Sequence, residues 1–278
     1  MAKAVCIGGK NNIAVNALLY LLDVIGLSKK DICVIPVKSD TGVDDWQKSL
    51  VKTSKEEGVD ICQLNDIYNQ NDIIFISLEF DRIINPRKFA SERLFNIHFS
   101  LLPKYKGMYT SALPILNGEN TTGVTLHGID EGIDTGPVID QYEFKIDIND
   151  TARMLYFKYL DNALRIFKTQ IQKLLANDFC FRRQDILMSS YYGKDPGIFN
   201  QQILLNKTSY QIHNQIRALC FKEFQLPSIN GRLISESALT GEFIGYNQLV
   251  ELNDRFIISG IDGYKITAKK DGYSNAVY

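Results

Sequence analysis

Three residues of catalytic type lie in one turn-rich stretch, 95–140. Asn96 and His98 occupy alternate positions of a short strand-like segment, so their side chains project from the same face. Asp134 follows within the sequence DEGIDTGP. A carboxylate that reaches the imidazole would fix its tautomer and raise its basicity, and an asparagine amide could donate hydrogen bonds to a developing oxyanion. These are the parts that an acyl transfer needs.

A structural histidine is the competing interpretation of this pattern. A single Asn-x-His match has little specificity, because a lone histidine beside a core strand is usually satisfied by its neighbours. His127, at the end of a predicted strand, faces the same edge and is more typical of a structural residue. The residue types alone therefore leave the chemistry open.

The surrounding sequence resembles a known family. NIHFSLLPKYKG is followed by ILNGE, TGVTLH and DEGIDTGPVI, in that order. This series is similar to the formyltransferases that use 10-formyltetrahydrofolate, among them glycinamide ribonucleotide formyltransferase, methionyl-tRNA formyltransferase and the nucleotide-sugar N-formyltransferases. The resemblance is strong over 73–144 and weak beyond 178. It implies that Asn96, His98 and Asp134 are the catalytic residues.

Within that family, the variant KYKGMYTSALPILNGE looks most like the sugar N-formyltransferases. The tRNA enzymes usually have RGAAPIQWAI at this place. The resemblance to the sugar enzymes implies that Met108, Tyr109 and Thr110 contact the substrate.

The hydrophobic pattern predicts an open, mostly parallel α/β sheet followed by a smaller, mainly β domain. Apolar runs alternate with helical periodicity through residue 177, whereas aromatic runs alternate with Asn-Gly and Asp-Gly turns beyond it. We expect domains at 1–177, with the Rossmann-like core that the resemblance implies, and at 178–278. The predicted strands are 4–8, 32–36, 61–64, 73–78, 121–127 and 137–144, and the predicted helices are 12–25, 46–57, 109–116, 151–175 and 209–219.

Ligands of an open α/β sheet bind beyond the carboxyl ends of its strands. The GGKNN turn after the first predicted strand offers Lys10, Asn11 and backbone N–H groups to a phosphate, although a simple β-to-α turn is an equal alternative. Arg82 follows a later strand and could meet a phosphate or stay solvated. The resemblance implies that two loops hold the pterin ring of the folate, through Leu78, Glu79, Phe80, Asp81, Gly128, Ile129, Asp130 and Ile133.

The segment NQIRALCFKEFQLPSING, 214–231, resembles the part of sugar N-formyltransferases that helps to hold the nucleotide. The resemblance implies substrate contacts from Arg217, Phe221 and Gln225. A core position for Phe221 is an equal alternative.

Charge and composition argue against several partners. The net charge is −1 and the pI is about 6.3, and basic and acidic residues are nearly balanced beyond residue 178, so we expect no nucleic-acid partner. Apolar stretches are too short for a membrane span or a signal peptide, so we expect a cytoplasmic protein without a membrane partner. The five cysteines and three histidines lack metal-ligand spacing, so we expect reduced thiols and no metal.

The resemblance implies formyl transfer from 10-formyltetrahydrofolate, as co-substrate, to the amine of a nucleotide-linked amino sugar, such as a dTDP-amino-dideoxyhexose. The formamido product would serve surface polysaccharide synthesis, such as O-antigen or lipopolysaccharide, and a homodimer is expected. Asn96 and His98 would stabilise the oxyanion, and His98 or a water held by Asp134 would take the amine proton. A methionyl-tRNA formyltransferase, a 10-formyltetrahydrofolate hydrolase and a folate- or nucleotide-binding protein without chemistry are the alternatives, and the acidic pI opposes the first.

Overall fold

The computed structural model describes residues 4–194 and 202–272. Its helices are α1 (Asn11–Asp23), α2 (Leu50–Glu57), α3 (Leu64–Ile67), α4 (Leu113–Leu116), α5 (Ala152–Ala176) and α6 (Ser209–Leu219). Its strands are β1 (Val5–Gly9), β2 (Ile32–Pro36), β3 (Asp60–Ile61), β4 (Ile74–Leu78), β5 (Leu94–His98), β6 (Lys106–Gly107), β7 (Thr121–Gly128), β8 (Val138–Lys145), β9 (Tyr191–Tyr192), β10 (Ser228–Ile229), β11 (Arg232–Phe243), β12 (Leu249–Glu251), β13 (Arg255–Ser259) and β14 (Tyr264–Lys270). Short 3-10 helices cover Lys29–Asp31, Pro86–Lys88 and Ile186–Met188.

Seven strands form a mixed sheet in the order β3-β2-β1-β4-β5-β7-β8. The pairs from β3 to β5 are parallel, and β7 runs antiparallel to β5. The chain continues from β1 to β2 and β3 on one side and then crosses back to β4 on the other side of β1, which makes the space between β1 and β4 a topological switch point. The predicted mostly parallel sheet is confirmed, and the antiparallel β7 is an addition to it.

Burial on both faces explains why the central strands are continuous apolar runs. Every residue of β1 and of β4 is buried, as expected for continuous apolar runs in a sheet that is covered on both faces. Each buried aliphatic side chain of this kind contributes about 1.5–3 kcal/mol relative to exposure. The centre of the sheet is therefore a rigid support for the loops that follow its strands.

Several helix ends differ from the sequence prediction. Helix α1 starts at Asn11, earlier than predicted, with Lys10 as its N-cap residue, whose side chain makes no capping hydrogen bond. Helix α2 starts at Leu50, later than predicted, because the Ser49 side chain accepts the Lys52 N–H at the helix start. Helix α6 has the predicted bounds, and Thr208 caps it through a capping box.

The long helix α5 ends in a Schellman motif. Asn177 has a left-handed φ of 56°, and the N–H groups of Asn177 and Asp178 donate to the carbonyls of Leu174 and Lys173. The Arg93 guanidinium also donates to the Leu174 and Leu175 carbonyls, where a cation is favoured by the helix dipole. The predicted helix is thus present.

The apolar steps of three and four that predict α5 begin at Met154 and Phe157, but the buried stripe of the helix does not include these two residues. Met154 is exposed and Phe157 is half-buried, whereas Leu155, Tyr156 and Tyr159 are buried. Periodicity identified the helix, but the neighbours of its first turns decide which face is covered.

Contacts divide the chain into two units that interleave along the sequence. The first comprises Met1–Gly107, Gly123–Glu143 and Tyr159–Tyr191, and the second Met108–Thr122, Phe144–Lys158 and Tyr192–Tyr278. In the second unit, five strands in the order β10-β11-β14-β13-β12 share an apolar core with α6. The separate antiparallel C-terminal sheet was predicted, while a domain boundary at residue 177 stays a prediction.

Two properties of the described residues bear on partners. No helix in the described ranges combines the length and the apolar character that a membrane crossing requires. The five cysteines are free thiols, and Cys6, Cys33 and Cys220 are buried.

Candidate active site

Strands β5 and β7 place three polar side chains on one face. Asn96 and His98 alternate along β5, and the antiparallel register sets His127 of β7 opposite Asn96. β5 ends at His98, at the same edge as the carboxyl ends of the parallel strands β1 and β4. This is the edge at which a sheet of this topology holds ligands.

Asp134 reaches the same point from the loop between β7 and β8. Its Oδ2 accepts the Gly107 N–H at 2.8 Å and lies 3.5 Å from His98 Nδ1. Its Oδ1 accepts from Asn96 Nδ2 at 3.2 Å and lies 3.6 Å from His127 Nε2. The structure therefore brings the three predicted residues together, while their catalytic roles stay predictions.

The tautomer of His98 follows from a backbone contact. Its Nε2 lies 2.8 Å from the Tyr105 carbonyl oxygen, which can only accept, so Nε2 carries a hydrogen. In the neutral imidazole, the Nδ1 lone pair then faces the Asp134 carboxylate. Tyr105, rather than Asp134 as the sequence suggested, fixes the tautomer. His98 Nδ1 and Asp134 Oδ2 are thus two acceptors that face each other, and one proton between them would be bound by both.

The pKa values of both members of this pair are lowered, for different reasons. Burial lowers the pKa of His98 by more than Asp134 and the Tyr105 carbonyl raise it. The expectation that Asp134 leaves the imidazole more basic than usual is therefore wrong in its net direction. Burial would raise the pKa of Asp134, but the positive charge that the His98 and His127 imidazoles carry when protonated, together with the Gly107 N–H, holds it well below its usual range. At neutral pH, the site holds an ionised carboxylate beside a neutral imidazole.

His127 is the residue whose part in the site the sequence analysis missed. Its Nδ1 lies 2.7 Å from the Gly128 carbonyl oxygen and so carries a hydrogen. In the neutral ring, Nε2 is then an acceptor, and Asn96 Nδ2 lies 3.1 Å from it. Both amide hydrogens of Asn96 are therefore used, one by His127 and one by Asp134. Only the β5–β7 register reveals this contact.

The backbone around the site is held in a sterically unfavourable region. Asn11, Glu79, Tyr105 and Asp134 all have positive φ, between 52° and 62°. L-residues rarely adopt this conformation, and it persists at functional sites where the surrounding structure over-determines it. The four residues follow strands or flank the site in the first unit.

The part of the chain that carries Asn96, His98 and Asp134 is similar to known proteins. Residues 78–171 match the family model described as formyl transferase. The crystal structure of WlaRD, a sugar 3N-formyl transferase in the presence of dTDP and 5-N-formyl-THF, is 52% identical with a TM-score of 0.95, over 98% of this chain and 99% of that one. The chain belongs to the formyl transferase family.

Two further relatives agree with this assignment. The N-formyltransferase from Helicobacter canadensis, in complex with folinic acid and dTDP-3-aminofucose, is 52% identical with a TM-score of 0.94, over 96% of this chain and 99% of that one. The bifunctional polymyxin resistance protein ArnA of Wigglesworthia glossinidia brevipalpis is 35% identical over 154 residues, or 53% of this chain. The chain spans only 23% of the length of that curated relative.

The first predicted folate loop of this formyltransferase follows β4. The Leu78 carbonyl accepts the Lys10 N–H at 3.2 Å, and Glu79 Oε2 accepts from Asn11 Nδ2 at 3.2 Å. Asp81 is exposed. The loops after β1 and β4 therefore meet at the switch point.

Phe80 and Arg82 continue this loop. The Arg82 guanidinium lies 4.6 Å from the centre of the Phe80 ring. Its Nε is buried and has no hydrogen-bond partner among the described residues. A phosphate contact from Arg82 stays a prediction, with one donor available for it.

The second predicted folate loop precedes Asp134. Gly128 donates its N–H to the Pro137 carbonyl, and Ile129 donates to the Leu94 carbonyl. Asp130 Oδ1 accepts from Thr135 Oγ1 at 2.6 Å and from the Gly132 N–H at 3.1 Å. Its carboxylate therefore stabilises the turn itself.

The remaining residue of this loop is exposed. Ile133, beside Asp134, is 39% exposed. An apolar side chain open to solvent next to the catalytic-type carboxylate is available to contact a ligand. The folate role of both loops stays a prediction.

The other predicted substrate residues belong to the second unit. Met108 donates its N–H to the Tyr192 carbonyl, the Tyr109 hydroxyl donates to the Lys194 carbonyl at 2.8 Å, and Thr110 is buried. Their substrate contacts stay predictions.

Arg217 and Phe221 have structural contacts of their own. Arg217 is 2% exposed, and its guanidinium donates to Asn214 Oδ1 and to the carbonyls of Asp147 and Asp150. Phe221 is buried against Tyr156 and Phe224. These contacts favour the core alternative for Phe221 and give Arg217 a structural role that the sequence did not suggest.

Gln225 is the last of the predicted substrate residues. The Gln225 N–H donates to the Phe221 carbonyl at 2.7 Å, and its side chain is half-buried. Across residues 4–194 and 202–272, no group of three or more His, Cys, Asp or Glu side chains is placed to hold a metal ion.

Proposed function

We propose that this formyltransferase transfers the formyl group of 10-formyltetrahydrofolate to the amine of a dTDP-linked 3-amino sugar. The similarity to WlaRD, a sugar 3N-formyl transferase, carries the proposal because it extends over 98% of the chain. A shared catalytic site alone would not identify the acceptor. The Helicobacter canadensis enzyme, in complex with dTDP-3-aminofucose, supports the same nucleotide and the same position of the amine.

The His98–Asp134 pair acts as the proton acceptor in this proposal. The neutral amine attacks the formyl carbon, and a tetrahedral oxyanion forms while a proton must leave the nitrogen. His98 Nδ1 takes that proton, and the ionised Asp134, 3.5 Å away, stabilises the imidazolium. The proton then moves to the departing folate nitrogen as the carbon–nitrogen bond breaks.

Asn96 supplies a hydrogen bond to the oxyanion. Both of its amide hydrogens are engaged before reaction, by His127 and Asp134. When His98 becomes protonated, its positive charge at Asp134 Oδ2 weakens the hold of Oδ1 on the Asn96 hydrogen, and that hydrogen turns toward the oxyanion. Proton transfer and oxyanion stabilisation are thereby linked.

We also infer the use of the product, the location of the enzyme and its oligomeric state. The formamido sugar remains attached to its nucleotide and is activated for polysaccharide synthesis, such as that of O-antigen or lipopolysaccharide. We infer a cytoplasmic homodimer without nucleic-acid or membrane partners, consistent with the net charge of −1. Sedimentation at two salt concentrations, with and without bulk RNA, tests the dimer and the absence of RNA binding.

An acceptor panel tests the function. The purified chain is mixed with 10-formyltetrahydrofolate and, separately, with dTDP-3-aminofucose, methionyl-tRNA or no acceptor. We expect tetrahydrofolate release and a formamido product only with the amino sugar. Release without an acceptor would identify a hydrolase, formylated methionyl-tRNA a tRNA enzyme, and no release in any mixture a binding protein.

The role of His98 is tested by His98→Asn. Loss of a positioned acid–base group should lower turnover by at least about 100-fold, with unchanged thermal unfolding. Near-normal turnover of the folded variant would contradict the assignment of His98 as proton acceptor.

A further inference from the structure

The segment 182–190, called the brace here, contacts both loops that complete the site. It lies in the first unit and follows α5, outside the residues 78–171 that match the family model. Arg182 forms a backbone bridge with Val138, which follows the Asp134 loop. None of the brace residues is among the predicted site residues.

Gln184 is the brace residue that holds the Asp134 loop. Its Nε2 donates to the Asp134 carbonyl at 2.9 Å and to the Gly136 carbonyl at 2.7 Å. Both amide hydrogens are therefore spent on the backbone that carries the carboxylate. Asp134 has a φ of 52°, a conformation that needs support from its surroundings.

The brace also holds the loop that orients His98. Ser190 Oγ accepts the Tyr105 N–H at 2.8 Å, and the Ser190 carbonyl accepts the Lys106 N–H at 2.9 Å. The Tyr105 carbonyl is the group that receives the His98 Nε2 hydrogen. Both partners of the His98–Asp134 contact are thus anchored to one short segment.

We propose that Gln184 is a positioning residue, which sets the direction of the Asp134 carboxylate toward His98 through the backbone of Asp134. The inference rests on the proposed function, because it assigns Gln184 to the reaction that this pair performs. Fixing the Asp134 and Gly136 carbonyls restrains ψ of Asp134 and the turn that follows it, and thereby the direction of the carboxylate. Without Gln184, the carboxylate samples directions in which it no longer stabilises the imidazolium.

Gln184→Met tests this by removing both donors at nearly constant side-chain size. A misplaced catalytic group should lower kcat by about 10- to 100-fold. KM for both substrates should change little, because the Gln184 amide hydrogens are bound to the backbone rather than available to a substrate. Gln248→Met is the matched control: Gln248 Nε2 also donates to a backbone carbonyl, that of Tyr246 at 2.8 Å, but in the second unit and outside the predicted substrate residues. We expect wild-type kcat from the control.

Gln184→Glu provides a second variant if the methionine variant is unstable. The introduced carboxylate, when ionised, would repel both carbonyls, whereas its protonated form can donate one hydrogen bond. The ratio of variant to wild-type kcat should therefore rise as the pH falls. A ratio that is independent of pH would contradict the role of the donated hydrogen bond.

A double-mutant cycle separates positioning from a general structural effect. Combined with Asp134→Asn, the loss caused by Gln184→Met should largely disappear, since the carboxylate that it directs is absent. An equal loss in both backgrounds, or wild-type kcat in the single variant, would overturn the inference.

Hydrogen exchange keeps the inference distinct from the proposed function. Amides of the 134–136 loop should exchange faster in Gln184→Met than in wild type, and unchanged exchange would overturn the inference even without an activity assay. A wild-type chain that formylates no acceptor would instead defeat the proposed function.

Discussion

In the proposed reaction, the orientation of the His98 imidazole decides which of its nitrogens takes the proton. His98 donates from Nε2 to the Tyr105 carbonyl, so Nδ1 is the only ring nitrogen that can accept. Burial lowers the pKa of His98, which keeps the ring neutral at physiological pH, and the nearby carboxylate stabilises the proton once it arrives. Before the reaction, His98 Nδ1 and the Asp134 carboxylate therefore carry no proton. During the reaction, the space between them can hold one.

Asp134→Asn tests this balance through the pH dependence of kcat/KM. Burial lowers the pKa of His98 and the Asp134 charge partly offsets it, so the acidic limb due to His98 should lie below about pH 6.5. Asp134→Asn removes the offset, so that limb should move to lower pH while the maximum falls by about 100-fold. The limb due to the substrate amine should not move. An acidic limb that stays in place would mean that His98 is not the titrating group.

His127 substitutions test the orientation of Asn96. His127→Phe removes the acceptor of one Asn96 hydrogen, so the amide can rotate and kcat should fall by about tenfold. His127→Gln offers an oxygen acceptor and should recover part of the loss. Equal kcat values in the two variants, measured with the amino sugar at saturation, would contradict a positioning effect of the acceptor.

Among the elements, the loop between β7 and β8 brings its end so close to the end of β7 that position 136 requires glycine. A Cβ on Gly136 would lie 1.8 Å from the Gly128 carbonyl oxygen, a backbone atom that cannot move aside. Gly128 ends β7, and Asp134 lies between the two glycines. The close approach therefore sets where the carboxylate emerges from the loop.

Gly136→Ala should displace this loop from β7. We expect turnover to fall by about 100-fold or more, because Asp134 moves from its contact with His98. Gly241→Ala is the control, since a Cβ there meets no atom within 4 Å. Wild-type turnover and unfolding temperature in Gly136→Ala would show that the loop tolerates a side chain there.

At the scale of the whole molecule, buried histidines make stability depend on pH. His213 is fully buried, donates from Nε2 to the Ile148 carbonyl at 2.7 Å and accepts from Ser237 Oγ at 2.8 Å. Burial, assisted by the Arg217 charge, lowers the pKa of His213. The neutral ring is thus the native form, as it is for His98.

The unfolding temperature should therefore fall as the pH drops below about 6.5, where unfolded histidines take up protons that the native chain resists. The contribution of these histidines is complete above that pH and is lost as the pH falls toward their folded pKa values. His213→Gln should lower stability at pH 7.5 and flatten this dependence. A wild-type unfolding temperature that is constant from pH 7.5 to 5.5 would contradict the effect.

Local sequence determined the elements and part of the site. The apolar runs of β2 and β4 and the period of α5 were readable because burial on both faces, or on one stripe, leaves a regular pattern. The i, i+2 spacing of Asn96 and His98 placed both on one face of β5. The ordered motifs around Asp134 identified the family.

The tertiary structure alone decided the hydrogen bonding of the site. No local pattern encodes the register of β7 against β5, so the contact of His127 with Asn96 was invisible in the sequence. The Tyr105 carbonyl that fixes His98, and Gln184 that holds Asp134, come from distant segments and act through backbone atoms that every residue possesses. The net direction of the His98 pKa likewise depended on burial, which is a property of the folded chain rather than of the residues that flank it.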